Sequence, residues 1–291
     1  MLTLIHFIFF SVILLYVLSS VWEVGNIFSP AKFHRNMARY FMLAGLCFHT
    51  GLLVFLGVRA GNIPITNLFE SFILLVWCIL FVFNTLHYIH NIPSLGAFLM
   101  PFVALLSCAG ILLVWSDLTI ATNLQRFWLI AHIIPIFFGY ASFAVAFIVS
   151  IMYLTQERQL KIKAFGSLWE HLPPLETLDS IMWKSITFGF PLLTLGLVCG
   201  TFWVKVSNVL GETWYLDPKV LFGTATWLIY AALLHLRLGA SFHGTKVACL
   251  TIAGFVLVLV TFLGTFFLGS EHGFQKIPEK TGIVWSEGIE E

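Results

Sequence analysis

Eight stretches of this chain are apolar over lengths that a water-soluble core does not require, at about 3–21, 37–59, 66–90, 94–115, 127–155, 179–204, 220–238 and 246–269. A hydrocarbon layer about 30 Å thick is crossed by about 20 helical residues. Inside that layer each backbone N–H and C=O must find its partner within the segment, and runs this long do not read as the short alternating strands of a barrel. The expectation is an all-α polytopic membrane protein with eight transmembrane helices, forming a single membrane domain over residues 1–291. Composition agrees: 10% of residues are charged, against roughly a quarter in soluble domains. A net charge of +1 with no basic patch argues against nucleic acid as a partner and leaves membrane lipid as the expected surroundings.

The opening "MLTLIHFIFFSVILLYVLSSVW" lacks a basic n-region and a small-residue cleavage site, so it reads as a retained first helix. Cys47, Cys78, Cys108, Cys199 and Cys249 all lie in apolar runs with no CxxC pair. They read as small buried or lipid-facing side chains rather than a disulfide framework or a zinc site.

Eight spans place both termini on one side. One set of loops and helix ends carries Lys32, Arg35, Arg39, Arg158, Lys161, Lys163, Lys184, Arg237 and Lys246; the other carries Arg59, Arg126, Lys205, Lys219, Lys276 and Lys280. The larger set is expected in the cytoplasm. Both termini, the 116–126 and 211–219 loops and the 270–291 tail are then external, in a bacterial inner membrane. Residues 156–178 read as a short cytoplasmic amphipathic segment, broken by Pro173-Pro174 before Asp179 caps the sixth span.

Ten histidines in so apolar a chain need sorting. His34, His171 and His243 fall in loops and read as solvated, and His6 at the outer end of the first span is left open. His132, one turn inside the fifth span, and His272, just after the eighth, are expected at the outer surface. Two neutral imidazoles from different helices, with the loop that carries Trp214, Asp217 and Lys219 at the same level, suit the axial positions of a haem iron. Trp128, Trp203 and Trp214 could stack on the macrocycle, and Arg126 or Lys219 could pair its propionates. The plain rival is two interfacial polar residues amid the usual aromatic belt. A second group lies within the spans: His49 in mid-span, His87 and His90 at the inner end of the third helix, and His235 at the inner end of the seventh. Ionisable residues there are costly. Metal ligation competes with snorkelling for His87 and His90, and with interhelical hydrogen bonding for His49.

Four stretches, in order, resemble the cytochrome c assembly protein family: "IPITNLFESFILLVWC" (63–78), "WLIAHIIPIFFGYASFAVAF" (128–147), "LPPLETLDSIMWKSITFGFPLLTLGLVCGTFW" (172–203), and "GETWYLDPKV" with the following "LHLRLG". The resemblance implies haem b as the bound group. His132 and His272 match the family's two external histidines, and His235 matches the histidine of a separate intramembrane haem site. A partner for His235 from within this chain would be His87 or His49. The loop keeps Trp214, Asp217 and Pro218 but has Tyr215 and Leu216 where the family is richer in tryptophan. That thinner loop is similar to the HemX branch, which implies an influence on glutamyl-tRNA reductase.

Two functions follow as expectations. One is an iron-binding protein that takes haem from the cytoplasmic to the external face, with a cytochrome c assembly partner. The other is a haem-responsive membrane anchor for a haem-biosynthesis enzyme. There is no GxxxxGK[ST] motif and no nucleophile or carboxylate dyad in a plausible triad, so an enzyme is not expected.

Overall fold

The computed structural model describes residues 2–29, 32–61, 63–65, 67–90, 92, 94–113, 118–119, 126–163, 166, 171–207, 213–239, 242–264 and 275–276. Its helices are α1 (Leu2–Phe28), α2 (Lys32–Ala60), α3 (Leu68–His90), α4 (Leu95–Ala109), α5 (Arg126–Ile162), α6 (Leu175–Ser207), α7 (Pro218–Gly239) and α8 (Thr245–Leu259). Among the described residues, eight helices are long and apolar enough to cross a membrane, and the chain is a multi-pass membrane protein. A 3-10 turn, Trp214–Leu216, leads into α7, and a π-helical turn, Val260–Gly264, continues α8. Two short strands, β1 (Leu118–Thr119) and β2 (Gln275–Lys276), form an antiparallel ladder that pairs Leu118 with Lys276 and Thr119 with Gln275. It ties the loop before α5 to the tail. That end of the molecule, where α5 and α7 begin, is the tryptophan face.

The helices form two groups. α1 and α3 each pack on α2 and α4; α5 and α7 each pack on α6 and α8; α3 and α4 meet α5 along the seam. Large apolar side chains such as Phe7, Val58, Leu105 and Phe188 stay on the outside, where lipid tails accept them at no cost. Hydroxyls in the spans turn back on their own helix: Ser107 donates to the Val103 carbonyl at 2.8 Å, Ser150 to Ala146 at 2.7 Å and Thr251 to Val247 at 2.8 Å. This satisfies a polar group where water is absent.

Two expectations change. Residues 156–162, the first part of the expected amphipathic segment, are not separate from the fifth span but are the last turns of α5. Asp179 does not cap the sixth span, because α6 starts at Leu175, directly after the prolines. Pro174 lacks an N–H but keeps its carbonyl, which accepts from Leu178 N–H at 3.1 Å. Asp179 therefore sits in the second turn, with its side chain free for another task.

Helices α5 and α6 pack antiparallel along an extended seam, and glycines set the approach. A Cβ at Gly139 would lie 3.1 Å from both the Gly189 carbonyl oxygen and Leu193 N. Those are backbone atoms, so a Cβ there would press the two helices apart by a few tenths of an ångström, and glycine allows the close approach, as in other small-residue membrane crossings. The same seam runs on to Gly196 and Gly200 of α6, opposite Ile136 and His132.

Candidate functional site

At the tryptophan end of this seam the His132 ring lies where a side chain on Gly200 would otherwise be: a Cβ there would land on the ring's Cε1 and Nδ1. The His132 Nδ1 is 2.7 Å from the Gly196 carbonyl oxygen. A carbonyl only accepts, so in the neutral ring Nδ1 carries the proton and Nε2 keeps its lone pair. Metal-ligating histidines are commonly oriented this way, with the second nitrogen held by a carbonyl. The sequence places the groups simply: "GLVCG" presents Gly196 and Gly200 one turn apart on α6, and one turn of α5 separates Trp128 from His132.

Trp203 and Val204 of α6 are buried in a small cluster that Trp128 of α5 and Trp214 of the 3-10 turn join. Trp128 also meets Phe202, with ring centroids 4.9 Å apart, and Trp214 meets Tyr215 edge-on at 6.2 Å. Three tryptophans from three segments thus converge beside His132. Asp217 explains why the loop needs Asp-Pro. Its backbone is extended (φ −59°, ψ 131°), its Oδ1 accepts Lys219 N–H at 2.8 Å, and its carbonyl accepts Leu221 N–H at 3.0 Å. It is the N-cap of α7, with Pro218 at the first helical position. Asp217 N–H also bonds back to the Trp214 carbonyl at 3.3 Å, so the cap fixes the turn that delivers Trp214. The Lys219 ammonium is close enough to act on both Asp217 and His132 electrostatically.

The remaining candidates divide. Arg126 begins α5, but its side chain, like all of His272, lies outside the described residues. His49 is buried between α1 and α2, its Nδ1 3.0 Å from the Tyr16 hydroxyl, and its Nε2 has no hydrogen-bond partner. His87, near the end of α3, has a buried Nδ1 without a partner and a ring 5.8 Å from that of Phe83. His235 is exposed near the end of α7. Helix α7 packs on α6 and α8, whereas α2 and α3 belong to the other group. His235 is thus not brought against His49 or His87.

Two features went unread in the sequence. The glycine cradle of Gly196 and Gly200 had a visible signal, the GxxxG spacing of "GLVCG". An ion pair between Asp179 and Arg237, 58 residues apart, had none.

A family model described as cytochrome C assembly protein matches residues 65–272. This range takes in His132, the three tryptophans, Asp217 and His235, and ends on His272. The chain is 32% identical over 240 residues to the cytochrome c biogenesis protein CcsA of Guillardia theta, covering 75% of this chain and 79% of that one. It is 30% identical over 288 residues to a CcsA of Prochlorococcus marinus, covering 89% of each. With most of its length matched and its aromatic and histidine positions inside the match, the chain belongs to the cytochrome c assembly protein family.

Proposed function

We propose that the protein handles haem b for cytochrome c biogenesis, holding it at the tryptophan face with His132 and His272 as axial ligands. The observation that supports this most is the His132 ring in its glycine cradle, with Nδ1 committed to the Gly196 carbonyl at 2.7 Å. The residues suit the group: a histidine with one nitrogen fixed and one lone pair free, and three tryptophans beside it to receive a flat apolar ring system. Two imidazoles would fill both axial positions of the iron, a state suited to carrying haem rather than turning it over. Lys219 and Arg126 are the cations for its propionates. Although the loop is thin in tryptophan, α5 and α6 contribute Trp128 and Trp203 to the aromatic wall. His235 holds haem at a second site toward the opposite face. With the basic clusters cytoplasmic, transfer runs from that face to the external tryptophan face, where an assembly partner receives the haem.

The test is haem per chain in the purified full-length protein, with its absorbance spectrum. His132→Ala is expected to remove most of the haem at the tryptophan face, and added imidazole to restore a low-spin spectrum. Full haem content in a His132→Ala/His272→Ala variant, with an unchanged spectrum, would overturn the assignment.

A further inference from the structure

Arg237 and Asp179 take no part in the tryptophan-face site, yet they form a closely constrained polar contact at the other end of the molecule. The guanidinium donates Nη1–H to Asp179 Oδ1 at 3.0 Å and Nη2–H to Oδ2, a two-pronged pair. The side chains are only 10% and 22% exposed. The Arg237 Cζ also lies 4.7 Å from the centre of the Trp183 ring, one turn along α6 from Asp179. Fork-to-fork pairing fixes direction as well as distance, and the aromatic face beneath holds the guanidinium plane.

Helix α7 needs such a fixture. Its span is the least buried of the eight, with 22% of its most apolar window inside the protein. Apolar contact with lipid or with α6 is nearly isoenergetic, so packing alone sets its rotation poorly. A polar contact lies midway, where Trp227 Nε1–H donates to Thr194 Oγ1 at 2.9 Å, and the Asp179–Arg237 pair lies at the end. His235 precedes Arg237 by two residues, a turn of about 200° around the helix. With Arg237 drawn inward onto α6, His235 is held outward, and its side chain is exposed.

We infer that Asp179 and Arg237 are a positioning pair for His235, a clasp that fixes the direction in which α7 presents that ring. The inference rests on the reading that His235 binds haem. The clasp is not sealed: Asp179 also borders an open cleft of about 450 Å³ with Tyr153, Glu176 and His243. A neutral residue at 179 can therefore be hydrated, and the bundle keeps its fold.

The experiment uses the full chain in a His132→Ala/His272→Ala background, where remaining haem reports on sites away from the tryptophan face. Asp179→Asn and Arg237→Met are each expected to lower that haem at least five-fold and to shift its Soret band, with elution volume and helix content unchanged. The charge swap Asp179→Arg/Arg237→Asp is expected to recover at least half of it. Full retention in the single variants overturns the clasp, as does a folded swap variant whose haem stays as low as in the single variants. His235→Ala in the same background separates the two ideas. If it keeps haem, or if the parent background binds none, the His235 site fails and the clasp with it. If it loses haem while Asp179→Asn keeps it, only the clasp fails.

Discussion

A histidine near a membrane surface becomes a dependable ligand when one ring nitrogen is committed and the other is left with its lone pair. His132 meets that condition through the Gly196 carbonyl, at 2.7 Å. At His49 the partner is the Tyr16 hydroxyl, 3.0 Å from Nδ1, which can donate or accept and so commits neither ring nitrogen. The glycine beneath His132 offers a sharp test. Gly200→Ala places a methyl group on the ring, and displacing a side chain in a close-packed seam costs about 1–3 kcal/mol, so haem affinity at the tryptophan face should fall by about 5- to 160-fold. Gly223→Ala is the control, because its Cβ would meet only the Leu197 Cδ2 at 3.6 Å, an ordinary contact. Haem titration of the two variants decides it; equal affinities would mean that the cradle does not set the ring. The placing of Trp128 and His132 on one face of α5 was legible in the sequence, since one helical turn separates them. The cradle was not, because reading it requires knowing that α6 lies against α5.

At the level of elements, a loop motif that resembles a ligand surface proves to be largely a helix start. Asp217 caps α7, Pro218 takes the first helical position, and the Asp217 N–H closes the turn bearing Trp214. Removing a cap of this kind costs about 1 kcal/mol. Asp217→Ala should therefore lower thermal stability in detergent by about that amount and weaken haem binding through a displaced Trp214. Asn caps as well as Asp, so Asp217→Asn should retain both stability and haem. If Asp217→Asn loses haem as completely as Asp217→Ala does, the carboxylate charge matters and the capping account is wrong. The span positions were readable because hydropathy records burial in lipid directly. Element boundaries were less so: Pro173-Pro174 was a visible break, but not that α6 restarts at once and turns Asp179 toward Arg237.

For the whole molecule, depth in the membrane is legible in a sequence but position in the bundle is not. His87 and His235 fall at similar predicted depths, yet they belong to different helix groups, which meet where α3 and α4 pack on α5 and where Phe102 of α4 meets Phe255 of α8. What relates the two groups to function is the direction in which the bundle sits. The basic helix ends, with Arg35, Arg39, Arg158 and Lys161, lie on the face opposite the tryptophans, the face proposed above to be cytoplasmic on the positive-inside rule. Cysteine labelling in intact cells tests this in a background where the five native cysteines are alanine. Tyr215→Cys, at a site 54% exposed, should react with a membrane-impermeant maleimide added outside. His243→Cys, exposed in the loop between α7 and α8, should react only after the membrane is opened. The reverse pattern would turn the molecule over, place the three tryptophans and His132 in the cytoplasm, and leave haem delivery to an external acceptor without a site on the correct side.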